Sequence, residues 1–167
     1  MSWQDVAYKD CKDASRSVAA WLLFGFSVIV SVGYTVGHSY LAEPTFVAFV
    51  DGVSQLIAMA VPVLGLLLGY KSISHARTSG SLFLTLSFPN SRSDLVVGTF
   101  VGRTVVLLVP TLVALAIAGA LGAFLYGTEN ALRYPLFLLA TALCGTTFVG
   151  IGVGLSMSTT VDRWITL

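Results

Sequence analysis

The side chains able to do chemistry are few in this chain, and they are scattered. Asp51 and Glu43 are the acidic groups nearest an apolar segment, and no second carboxylate stands close enough to either to form an acid–base pair within a span. An ionisable group near membrane depth marks a candidate substrate or ion site, which singles out Asp51. His38 and His75 both fall in segments that read as solvated loops. Cys11 and Cys144 are far apart and show neither metal spacing nor a disulfide framework. No nucleophile–base–acid set is visible, and no metal site or cofactor is expected. Gly150-Ile151-Gly152-Val153-Gly154 imitates a nucleotide fingerprint, but it sits inside an apolar run instead of a strand-to-helix turn. With no G-x-x-x-x-G-K-[ST] either, the chain is not expected to bind ATP itself or to act as an enzyme.

Four uncharged stretches of about 19 residues or more set the frame for these groups, since a hydrocarbon core needs roughly 20 apolar residues of helix. Only helices or closed barrels satisfy their backbone at that depth, and the stretches are too long for strands. Only 10% of residues are charged, against about 25% in a soluble domain. The expected fold is therefore all-α: a polytopic membrane helix bundle forming a single membrane domain over 1–167. Its transmembrane helices are expected at 18–36, 53–70, 104–126 and 136–157. Pro62 and Pro110 should kink the second and third or free a carbonyl there. Residues 2–17 alternate apolar and charged positions at helical spacing and read as an N-terminal interfacial helix, with Trp3 at headgroup level. Net charge near zero argues against nucleic acid as a partner.

Orientation follows from the cations. Of the nine Lys and Arg, only Arg133 falls between the third and fourth spans, and none falls between the first and second. The positive-inside rule then places both termini and the 71–103 loop in the cytoplasm of a multi-pass cell-membrane protein. Small residues four apart (Gly65/Gly69, Gly98/Gly102, Gly119/Ala123 and Gly150/Gly154) suggest faces where backbones approach closely, within the bundle or to a second copy.

The 71–103 loop is the most specific segment. It carries an apolar cluster, Leu82, Phe83, Leu84, Leu86 and Phe88, closed by Pro89. A short amphipathic helix over about 81–88 is expected, with a strand as the weaker option. Such a face needs burial, on the membrane or in a groove of a partner. The pattern Arg77-x-Ser79-Gly80-Ser81-Leu82, then Pro89-x-Ser91-Arg92, then Gly98-x-x-x-Gly102-Arg103, resembles the cytoplasmic loop of ABC-2 type transporter permeases. The opening Trp3-Gln4-Asp5-Val6-Ala7 and the Ser156-x-Ser158-Thr159-Thr160-x-x-Arg163 tail are similar to the group of the nitrous-oxide-reductase maturation permease.

That resemblance implies a permease subunit of an ABC exporter. A cytoplasmic coupling helix would dock on a separate ABC ATPase subunit, and a second permease copy or homologue would complete a dimer. It assigns the coupling role to Arg77, Ser79, Gly80, Ser81, Leu82, Leu86, Pro89, Ser91 and Arg92. Two departures stand out. Ala76 and Thr78 occupy places where the family carries acidic residues, and Thr99 stands where lysine is usual. The family also continues through two further spans, so the chain reads as truncated after the fourth. The alternative is a small four-span interaction or assembly protein, or a permease fragment without ATP coupling. A channel using Asp51 is the weakest reading, because little else polar lies deep in the spans.

Overall fold

A computed structural model describes residues 4, 7, 8, 11–13, 18–40, 45–78, 92–127 and 133–158. They form an all-helical bundle of four principal helices: α1 (Val18–His38), α2 (Phe46–Thr78), α3 (Arg92–Tyr126) and α4 (Tyr134–Ser158). Three helical stretches are long and apolar enough to cross a membrane, Phe46–Tyr70, Val96–Tyr126 and Tyr134–Met157, and Phe24–His38 is a shorter apolar stretch.

The helices are longer than the apolar runs alone suggest. α2 starts at Phe46 instead of 53 because Thr45 caps it: its side-chain oxygen accepts from Ala48 N–H at 3.3 Å, and its carbonyl accepts from Phe49 N–H at 3.0 Å. At the other end α2 continues to Thr78, and α3 begins at Arg92. Residues 71–78 and 92–103, expected as loop, are therefore helical. The helix runs unbroken through Pro62 and Pro110. Beside Pro110, the Thr111 hydroxyl donates to the Leu107 carbonyl at 2.8 Å, one way a membrane helix supplies hydrogen bonds near a proline. α3 stops at Gly127, whose φ of 85° is left-handed and favours glycine at this position. α4 tolerates Pro135 because its first turn needs no amide donor there.

Ring contacts join His38 to Tyr126 and Phe46 to Tyr134. The end of α1, the start of α2, the end of α3 and the start of α4 thus meet at one pole, and the helices alternate up and down. We call this the aromatic pole. α2 and α4 share the most extensive interface, and α1 leans chiefly on α3. The described N-terminal residues are helical, with Ala7 buried and the Cys11 thiol 4.0 Å from the Gly102 carbonyl, so one face of this segment lies on α3.

Candidate functional site

Between hydrocarbon-facing helices no hydrophobic force operates, so packing quality decides which helices hold together. The α2–α4 interface is held by glycine. A Cβ added at Gly69 would lie 2.8 Å from the Cα of Gly152 and from the Val149 carbonyl oxygen, and one added at Gly152 would lie 3.0 Å from the Gly69 Cα. Gly65 adds a third position, close to Phe148 and the Val149 backbone. Here backbone meets backbone. The Gly65/Gly69 pair is a packing face as its spacing suggests, but its partner on α4 is Gly152. A Cβ added at Gly154 would meet nothing within 4 Å, and one added at Gly150 would meet Phe100 at 3.4 Å.

The aromatic pole is built differently. Phe46, Phe49, Val53, Leu115, Ala118 and Tyr134 form its buried core. Rings lie on glycines: Tyr134 on Gly119, Phe49 on Gly122 and Tyr34 on Gly52. Each glycine leaves the space its ring fills. The polar tips are satisfied by backbone, with Tyr134 donating to the Leu115 carbonyl at 2.6 Å and Tyr126 donating to the Thr35 carbonyl. His38, expected to be solvated, is only 8% exposed. It stacks on Tyr34 at 5.8 Å and meets Tyr126 edge-on at 5.5 Å. Neither ring nitrogen has a hydrogen-bond partner among the described residues. The last turn of α1 packs on α3, and this carries the ring inside.

Asp51 is exposed at the same pole and lines an open cleft of about 260 Å³ with Val47, Val50, Ser54, Arg133 and Tyr134. Val47, Asp51 and Ser54 recur at i, i+4 and i+7, one face of α2. With α2 expected to begin at Val53, this face was hidden in the sequence, and Arg133 and Ser54 were not linked to Asp51.

Of the expected coupling residues, Arg77 lies in the last turn of α2 and Arg92 is the first residue of α3. Ser79, Gly80, Ser81, Leu82, Leu86, Pro89 and Ser91 lie outside the described residues, as does the helix expected at 81–88. His75, expected in a loop, falls within α2. Among the described residues no group of three or more His, Cys, Asp or Glu is arranged to hold a metal ion.

Comparison with known proteins now decides what this bundle is. The sequence profile of the ABC-2 family transporter proteins matches residues 4–161. The chain belongs to the ABC-2 transporter family. It is 28% identical over 162 residues to the probable ABC transporter permease protein NosY of Pseudomonas aeruginosa, covering 90% of this chain and 58% of that protein. It is 26% identical over 164 residues to the probable ABC transporter permease protein NosY of Stutzerimonas stutzeri, covering 91% of this chain and 58% of the relative. The chain thus spans a little over half the length of these curated relatives. The helices long and apolar enough to cross a membrane accord with that family.

Proposed function

We propose that this permease couples ATP hydrolysis on a separate ABC ATPase subunit to export across the cell membrane, with both termini cytoplasmic and a second permease copy or homologue completing the transporter. Residues 77–92 are the contact with the ATPase. The observation that carries this reading is the continuity of the helices on either side. α2 runs 33 residues and α3 runs 35, so each reaches about 50 Å from that segment to the aromatic pole at 1.5 Å per residue. The glycine interface ties α2 to α4, so a push delivered near Arg77 moves two helices as one body. Small displacements of tightly packed elements are transmitted, not absorbed, because close-packed interiors deform little.

The test is co-purification of the tagged chain with its ATPase from native membranes. Gly80→Pro and Leu82→Asp are expected to leave membrane insertion intact and to abolish association. Full retention of the ATPase in both variants would sink the coupling assignment, and absence of any ATPase from the wild-type preparation would favour an interaction protein without ATP coupling.

A further inference from the structure

We propose that the cleft at the aromatic pole binds a zwitterion of the phosphoethanolamine type, an ammonium and a phosphate on one small skeleton. The cleft presents one carboxylate, Asp51, and one guanidinium, Arg133, together with the Ser54 side chain, over a floor of Val47, Val50, Phe46 and Tyr134. Both charged residues are exposed, and among the described residues no ion pair within 4.0 Å joins them. Opposite charges that share a cleft without neutralising each other suit a ligand carrying the complementary pair. The carboxylate takes the ammonium as acceptor, and the planar fork of the guanidinium takes phosphate oxygens as donor. Ser54 is already turned away from that role, since its hydroxyl donates to the Asp51 carbonyl at 2.7 Å.

Size and position narrow the ligand further. Pockets for drug-sized ligands run to roughly 300–1,000 Å³, so about 260 Å³ suits a headgroup and not a whole amphiphile. Asp51 lies five residues beyond the first residue of the span Phe46–Tyr70, about 8 Å along the helix. That is the depth at which headgroup meets acyl chain, and Val47, 53% exposed, gives the chains an apolar surface to leave along. A simple anion has no use for Asp51, and a simple cation has none for Arg133.

The same headgroup chemistry occurs on a phospholipid and on a soluble glycerophosphodiester. Native mass spectrometry of the detergent-purified chain separates the two. The protein is offered phosphatidylethanolamine, phosphatidylglycerol or soluble glycerophosphoethanolamine, each at equal concentration. Wild type is expected to retain phosphatidylethanolamine at least about fivefold over phosphatidylglycerol. Asp51→Asn is expected to erase that preference while phosphatidylglycerol retention holds, and Arg133→Gln is expected to lower retention of both lipids. Both sites are exposed, so these variants keep the fold, which circular dichroism checks. Competition by the soluble glycerophosphoethanolamine assigns the cleft to a free ligand, and its failure to compete assigns it to lipid. No preference in wild type, or the same preference in Asp51→Asn, overturns the proposal.

Discussion

The α2–α4 crossing and the aromatic pole reach close packing by opposite means. At Gly69 and Gly152 each helix presents bare backbone to the other, and nothing at the contact can turn aside. At the aromatic pole Gly52, Gly119 and Gly122 each face a ring, and the ring is held by its own rotamer and, for Tyr134, by a hydrogen bond to Leu115. The first arrangement gives close dispersion contact and α-carbon hydrogens set against facing carbonyls, weak terms that add along the helix. The second gives large ring areas and polar tips that reach otherwise open carbonyls. A backbone contact fixes two helices rigidly. A ring contact leaves a hinge, because side chains can change rotamer. Under the proposed coupling, α2 with α4 would be the moving body and the aromatic pole the pivot.

The largest effect is expected where the contact cannot yield. Gly69→Leu and Gly152→Leu push a side chain into the opposing backbone, and overpacking of this kind costs about 3 kcal/mol or more. Little monodisperse protein is expected in mild detergent, and whatever is recovered should unfold at much lower SDS fractions than wild type. No side-chain trimming should rescue Gly69→Ala, because the atoms in the way, at Gly152 and Val149, are main chain. A wild-type unfolding midpoint for Gly69→Leu would break the comparison.

At the aromatic pole the cost is expected to be smaller and, unlike the crossing, suppressible. Gly119→Ala displaces the Tyr134 ring and with it the bond to Leu115, a loss of about 1–2 kcal/mol from overpacking and one hydrogen bond. In a Tyr134→Leu background the same change should cost under about 0.5 kcal/mol, since residues in contact are not additive. A double-mutant cycle on unfolding free energy measures this. Full additivity would mean that the ring does not sit on Gly119.

Much of this was legible in the chain. The uncharged stretches imply four apolar helices, and Gly65/Gly69 implies a close approach. What stayed hidden depends on three-dimensional pairing. Gly152 is one of three alternating glycines, and nothing along the sequence says that it, and not Gly150 or Gly154, meets Gly69. His38 follows a glycine and precedes Ser39 and Tyr40, which reads as a turn, and only the packing of α1 on α3 carries it inside. Asp51 looked like a residue at the outer edge of the span because the span was expected to begin at Val53, whereas the cap at Thr45 starts α2 ahead of the apolar residues 46–50. The coupling segment rests on motif resemblance together with the helix ends at Arg77 and Arg92.

His38 offers a gain instead of a loss. Its two ring nitrogens are buried without partners among the described residues, and such groups carry a desolvation cost of roughly 1–3 kcal/mol. His38→Phe keeps the stacking on Tyr34 and the edge contact with Tyr126 and removes that cost. An increase of about 1 kcal/mol in unfolding free energy is expected, within the range for apolar replacement of unpaired polar groups. His38→Lys, which places a charge among the rings, should move the midpoint the other way. If the pole is the hinge, His38→Phe should also slow transport in reconstituted complexes while ATPase association holds. A lower midpoint for His38→Phe would show that the nitrogens find partners the neutral ring needs.

The smallest effects are expected at glycines where an added Cβ would meet open space. Gly33 and Gly154 have open space where a Cβ would project. In a helix interior alanine is favoured over glycine by up to about 1 kcal/mol through backbone entropy, and lipid already satisfies the exposed methyl. Gly33→Ala and Gly154→Ala should therefore fall within about 0.5 kcal/mol of wild type or slightly above it, as substitutions away from packed features do. Both measurements belong at low protein concentration. If the midpoint of Gly154→Ala stays at wild type there but drops when the protein is concentrated, Gly154 is in contact with another copy, and the rigid body of α2 and α4 extends across that interface. If it is unchanged at every concentration, the tight crossing at Gly69 and Gly152 is confined to one chain, and glycine content alone does not mark where this bundle is rigid.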